Sequence, residues 1–274
     1  MTLNGFVQKG LLSALLAGSV LLAGCGDKSA TSTPASASAP TPAAATEKVY
    51  KIGSEASFTP FESIDNKGQV VGFDVDLMNA IAEKGGFKVE FKNTPWEGIF
   101  ASLEQGDIDM VVSAVTITDE RKVTMDFSDP YFEARQQIAV LATNTSTKTV
   151  ADLKNKKVAV QTGSTGDTVA KKAMGNTNAS IKRFESLVSA MQELGAGGVD
   201  AVIGDNAVIA FYIKNNPNQK LRMIEDKTTE AEFYGFALKK GIHPELLAKI
   251  NEGLKAIKAD GTYAKIEAKY FAVK

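Results

Sequence analysis

Leu103-Glu104-Gln105-Gly106-Asp107-Ile108-Asp109-Met110-Val111-Val112 is echoed further along by Leu194-Gly195-Ala196-Gly197-Gly198-Val199-Asp200-Ala201-Val202-Ile203. Each stretch reads as the end of a helix, a glycine stop, and a strand that opens with an aliphatic residue and Asp. The echo predicts two lobes built alike, each presenting the carboxyl end of this strand. Ser113-Ala114 and Gly204-Asp205 then hold matching positions. In open α/β sheets ligands sit at the carboxyl ends of strands, so two facing lobes place two such ends across one cleft.

Outward from this pair, short β-type runs alternate with amphipathic helices, the signature of an α/β fold with mostly parallel sheets. Strands are expected at 49–53, 87–91, 108–113, 158–160, 181–184, 199–203 and 233–238. Asp74 is expected to cap a helix whose Val75, Leu77, Met78, Ile81 and Ala82 share one face, with Gly85-Gly86 as its stop. Further helices are expected at 95–105, 165–174, 187–194, 205–214, 244–259 and 262–270.

The N-terminus differs from the rest. Lys9 precedes an apolar run at 11–23, too short for a bilayer, which takes about 20 apolar residues, but sized for the core of a secretory signal. It ends in Leu22-Ala23-Gly24-Cys25, which resembles the bacterial lipoprotein processing box. That resemblance implies a signal peptide over 1–24, cut before an acylated Cys25, and a protein held at the periplasm or cell surface by its lipid. Residues 27–46 are almost all Ser, Thr, Ala and Pro. They lack the large apolar groups that offset ordering entropy, so 25–47 reads as a flexible tether.

Several function classes are poorly supplied. A net charge of −1 with no Lys/Arg run argues against nucleic acid, whose phosphates need a concentrated basic surface. The sole His, His243, precedes Pro244 at a helix start, where a surface structural role is the simplest reading. Gly163-Ser164-Thr165-Gly166 follows a strand and opens a helix, but no Gly-Lys-Ser/Thr completes a nucleotide loop. Asp74-Val75-Asp76 and Asp107-Ile108-Asp109 lack calcium-loop spacing. No catalytic residue, metal or cofactor is therefore assigned.

Binding chemistry is well supplied. Glu55-Ala56-Ser57-Phe58-Thr59-Pro60-Phe61-Glu62 follows the first strand, and Gly72-Phe73-Asp74-Val75-Asp76-Leu77 opens the next helix. Thr116-Ile117-Thr118-Asp119-Glu120-Arg121 and Phe127-Ser128-Asp129-Pro130-Tyr131 come after the third strand. In this order they resemble the periplasmic polar-amino-acid-binding proteins of ABC importers, over nearly all of 48–274. The resemblance implies a two-lobe periplasmic-binding-protein fold of type II: lobe one at 48–130 plus 235–274, lobe two at 136–229, hinges at 131–135 and 230–234. It also implies a monomer that delivers a small amino acid to the importer's membrane subunits.

The same resemblance implies the site. Arg121, the Arg of Thr-x-Thr-x-x-Arg, would grip the ligand's α-carboxylate, since guanidinium and carboxylate pair in a planar bidentate fork. Thr116 would offer its N–H and hydroxyl, and Thr165, at a helix start, an N–H and the positive end of a helix dipole. Asp205 would hold the α-ammonium with help from the Ala114 carbonyl, although its position also suits a helix N-cap. Glu55, Phe58, Trp96 and Gln161 would meet the side chain, with core packing as the plainer reading of the two aromatics. A carboxylate between aromatic faces suits a guanidinium or ammonium, each cation–π contact contributing about 0.5–2 kcal/mol. Arginine is the expected ligand, and glutamine or another neutral amino acid the alternative. The rival from another class is a periplasmic dehydratase of prephenate or arogenate on the same scaffold, with Glu55 as general acid. A sensory domain is disfavoured, because no signalling domain follows in the sequence.

Overall fold

A computed structural model describes residues 48–272, so Cys25, the run at 11–23 and the stretch at 27–46 lie outside the described residues. From Lys48 the chain forms β1 (Val49–Ser54), then a small antiparallel sheet of β2 (Ser57–Phe58), β3 (Glu62–Ile64) and β4 (Val70–Val71). Next come α1 (Phe73–Gly85), β5 (Lys88–Asn93), α2 (Trp96–Gln105), β6 (Met110–Val111), α3 (Asp119–Lys122) and β7 (Met125–Phe127). The long β8 (Phe132–Leu141) carries the chain into a second set: β9 (Val158–Gln161), α4 (Thr165–Met174), β10 (Ile181–Phe184), α5 (Leu187–Gly195), β11 (Ala201–Asp205), α6 (Asn206–Asn215) and β12 (Leu221–Ile224). It returns through β13 (Ala231–Tyr234) to β14 (Ala237–Lys239), and α7 (Pro244–Ala259) and α8 (Thr262–Phe271) close it.

The two sheets share a plan. Their strand orders are β5-β1-β6-β14-β7 and β10-β9-β11-β8-β12. In the first, β14 runs against its neighbours β6 and β7; in the second, β8 runs against β11 and β12. The other pairings are parallel. The reversed strand in each sheet is the one that has just arrived from the other lobe. This explains why the sheets are less purely parallel than expected from the βα alternation. The two crossovers also pair with each other, Arg135 opposite Ala231 through Phe132 opposite Tyr234.

Helix faces follow the expected periodicity. Phe73, Val75, Leu77, Met78, Ile81 and Ala82 are buried in α1, which ends on Gly86 in the left-handed conformation at φ 64°. Asp74 departs from expectation. The helix begins two residues earlier, at Phe73 with Gly72 as N-cap, and Asp74 makes no cap bond. Its Oδ2 instead accepts from the Ala114 N–H at 2.8 Å and from the Tyr131 hydroxyl at 2.7 Å. The strand expected at 108–113 is shorter, Met110–Val111, although Ile108, Val112 and Ser113 are as buried as a core strand requires. The strand expected at 233–238 divides into β13 and β14, one in each lobe's sheet.

Candidate functional site

All nine residues assigned to ligand binding line one small cavity between the lobes: Glu55, Phe58, Trp96, Ala114, Thr116, Arg121, Gln161, Thr165 and Asp205. Ser113 and Ser164 line it as well. The strand ends matched by the echo do face it together, Ser113-Ala114 beyond β6 and Asp205 at the end of β11. Arg121 comes from the short helix α3, set by Thr118, whose side chain caps the helix by accepting the Arg121 N–H. Thr165 opens α4 behind Ser164, which caps it by accepting the Asp167 N–H at 3.2 Å. Trp96 and Phe58 are each buried in a hydrophobic cluster, as core packing requires, and both also line the cavity.

The charges are arranged in an unusual way. Arg121 donates from Nη1 to the Thr116 carbonyl at 2.9 Å and from Nη2 to the Gly163 carbonyl at 3.5 Å. Its guanidinium lies 5.3 Å from the ring centres of both Trp96 and Phe100. Among the described residues no carboxylate comes within ion-pair distance of it. Burial pulls its proton affinity below the ordinary value, against the pull of Asp205 and Glu232. A buried cation without a close anion is costly, and it favours any anion that enters.

Asp205 is the complementary group. It stands at the N-cap of α6 but makes no cap bond with its side chain. Its Oδ1 accepts from Gln136 Nε2 at 2.9 Å and from the Tyr234 hydroxyl at 2.8 Å, while no donor among the described residues reaches Oδ2. Burial pushes its pKa up to about 7, with the Glu232 carboxylate adding to the rise. One cavity thus holds a cation wanting an anion and a carboxylate wanting a cation.

Glu55 bridges the lobes. Its Oε1 accepts from the Ser57 hydroxyl at 2.6 Å and its Oε2 from Gln161 Nε2 at 2.8 Å. Burial raises its pKa against both bonds, and no described Lys, Arg or His pairs with it. Gln161 spends its amide N–H groups on Glu55 and on the Glu185 carbonyl, which leaves its own oxygen as acceptor.

The hydrogen bonds that join several residues beneath the site carry no signal in the sequence. Ala114 sits at φ 46°, a left-handed conformation costing a non-glycine residue about 1–2 kcal/mol, held by the bond from its N–H to Asp74. Ser113 donates to Glu62 Oε1 at 2.7 Å and accepts the Glu55 N–H at 2.9 Å. Glu62 Oε2 and Asp74 Oδ1 are buried without partners. Burial, then the neighbouring Asp74, raises the Glu62 pKa well above its ordinary value, and burial raises Asp74 to about 7. Raised carboxyl pKa values mean that the folded state holds its protons more tightly than the unfolded chain. Stability is then full at low pH and lost as pH rises from about 4 through the folded values. Glu62→Gln keeps the acceptor for Ser113 and removes the charge. It is expected to raise thermal stability at pH 8, by about 1–3 kcal/mol, and to change little at pH 5. A melting temperature at pH 8 equal to or below the wild type's would contradict this.

Known proteins place the chain among binding proteins. A family described as bacterial extracellular solute-binding proteins, family 3, matches residues 50–273. A probable histidine-binding protein of Neisseria gonorrhoeae is 44% identical over 267 residues, 97% of this chain and 96% of its own length. ABC transporter arginine-binding protein 1 of Escherichia coli (strain K12) is 35% identical over 234 residues, 84% of this chain and 93% of its own. Among solved structures, the arginine-, lysine-, histidine-binding protein ArtJ of the thermophilic bacterium Geobacillus stearothermophilus superposes with a TM-score of 0.79 at 46% identity, covering 83% of this chain and 96% of its own. All three are binding proteins by name.

Proposed function

Because the chain belongs to the bacterial extracellular solute-binding proteins, family 3, we propose that it captures one amino acid with a basic side chain, arginine or histidine, and delivers it to an ABC importer. The observation that carries this reading is the pairing of Arg121, which has no close anion, with Asp205, whose Oδ2 is open, in one cavity. An α-carboxylate and an α-ammonium satisfy both charges together. The side chain is then left facing Glu55, Phe58, Trp96 and the Gln161 oxygen. A neutral ligand would leave the Glu55 charge buried and unmatched, which disfavours closure. The relatives named for histidine and arginine support the same choice.

The crossovers at 131–135 and 230–234 serve as hinges between a lobe of 48–130 plus 235–274 and a lobe of 136–229. Ligand contacts to both lobes favour the closed form, which the importer's membrane subunits recognise. Cys25 is acylated and anchors the protein, which acts as a monomer; mass spectrometry of the native protein showing an unmodified Cys25 would remove the anchor. The ligand is tested by a thermal-shift screen of the twenty amino acids and ornithine. At a hundred times its Kd a ligand adds about 2.7 kcal/mol. Arginine or histidine should give the largest shift; a screen with no shift at all would refute the function.

Binding should also depend on pH. An α-ammonium beside Asp205 favours the ionised carboxylate, so the bound pKa falls below the free value of about 7. Below that pH, binding must release a proton. Affinity is therefore full above pH 7 and falls as pH drops through it, by up to about tenfold per unit. Calorimetry in buffers of different ionisation enthalpy at pH 6 should detect the released proton. An affinity constant from pH 8 to pH 5.5 would remove Asp205 from this role.

A further inference from the structure

Glu232 lies on β13, in the returning crossover, and does not itself line the cavity. Its Oε2 accepts three bonds: from the Thr165 hydroxyl at 2.8 Å, Gln136 Nε2 at 3.1 Å and the Thr116 hydroxyl at 3.2 Å. Resting on the function proposed above, we propose that Glu232 is a positioning residue for the ligand's α-ammonium: it fixes the Thr116 hydroxyl so that this oxygen can only accept a hydrogen bond from the ligand.

A carboxylate only accepts, and a threonine hydroxyl has one proton to give. Once that proton points at Glu232, the lone pairs of Thr116 Oγ1 are what remain for the cavity. An ammonium can donate to them, whereas a carboxylate cannot. Thr165 Oγ1 is committed in the same way, since it donates to Glu232 and also receives a proton from Gln136 Nε2 at 3.0 Å. Gln136 extends the effect to Asp205. Its two Nε2 protons are shared among Glu232, Thr165 and Asp205 Oδ1, and with the Tyr234 hydroxyl they occupy Oδ1 so that Oδ2 is the oxygen left open. Glu232 therefore sorts the polar groups around the cavity. Hydroxyl and carboxylate oxygens serve the ammonium, while Arg121 and backbone N–H groups are left for the ligand's carboxylate.

The same three bonds also tie the lobes, because Thr116 belongs to the first and Gln136 and Thr165 to the second. A tie alone would matter equally for any ligand that closes the cleft. The deciding measurement therefore compares an amino acid with its counterpart lacking only the α-amino group: arginine against des-amino-arginine, and histidine against des-amino-histidine. The weaker member is read by competition at millimolar concentration. Glu232→Gln removes the carboxylate and supplies an amide that can donate to Thr116, so the hydroxyl is no longer fixed. The variant should lose about tenfold or more in affinity for the amino acid and less than about threefold for the des-amino compound. Thr116→Val, which removes the hydroxyl, should show the same selective loss and carries the test if Glu232→Gln does not fold. Equal losses for both compounds would overturn the positioning role and leave a tie between lobes. Failure of the wild type to bind either amino acid would instead overturn the function on which the inference rests.

Discussion

Arg121→Ala is expected to reduce amino-acid affinity by roughly a hundredfold to several thousandfold while leaving a folded protein, as truncating one partner of a buried charge pair costs about 3–5 kcal/mol. The ligand's α-carboxylate would then enter a closed cavity with no cation to meet it. The ligand-free protein should be as stable as the wild type or more so, because the substitution removes a buried charge that has no close anion of its own. Asp205→Asn should show a comparable loss through the ammonium, and should also abolish the fall in affinity below pH 7. Calorimetric titration of each variant reads the first effect, and denaturation without ligand reads the second. Near-wild-type affinity in either variant would withdraw that residue from the site.

The second large effect concerns the fold that holds the site. Gly72 precedes α1 at φ 146°, a conformation open to glycine and strained for other residues. A Cβ added there would lie 2.0 Å from the Phe61 carbonyl oxygen, 2.6 Å from its carbon and 2.8 Å from Glu62 Cα. These are backbone atoms and cannot rotate aside. They also belong to the junction that seats the helix, where the Phe73 and Asp74 N–H groups donate to the Pro60 and Phe61 carbonyls, each at 3.0 Å. Gly72→Ala should therefore cost more than about 3 kcal/mol, lowering the melting temperature by about 10 °C. A melting temperature within error of the wild type would show that the junction gives way more easily than its contacts imply. Moving the junction also moves Asp74, which holds Ala114 in its left-handed conformation at the cavity wall.

That junction shows what sequence can and cannot reveal. The Gly-Phe-Asp start of α1 was legible as a helix entry, but the work of Asp74 was not. Its partners Ala114 and Tyr131 are remote in sequence, and an Asp at a helix start is ordinarily a cap. Helices with clean apolar faces came through to the residue, as with Thr165–Met174 and Pro244–Ala259. By contrast β8 was hidden. Gln136 and Gln137 break its alternation because both are buried as hydrogen-bonding groups, Gln136 for Asp205 and Glu232, Gln137 for the Asp226 N–H. The nine residues assigned to the cavity were legible through the motifs that carry the family resemblance, which sit near strand ends and helix starts. Those behind them, Gln136 and Glu232, depend on register: Gln136 faces Asp205 across the β8–β11 ladder. Pairing of that kind leaves no local pattern to read.

The central claim is that the cavity receives an amino acid whose side chain brings a positive charge or an imidazole to Glu55. It is tested most directly by titrating the ligand-stripped protein with arginine, histidine and glutamine in one calorimetric series at pH 7.5. The account predicts that arginine or histidine binds more tightly than glutamine, by about tenfold or more. Glutamine binding as tightly as both, or more tightly, would contradict it.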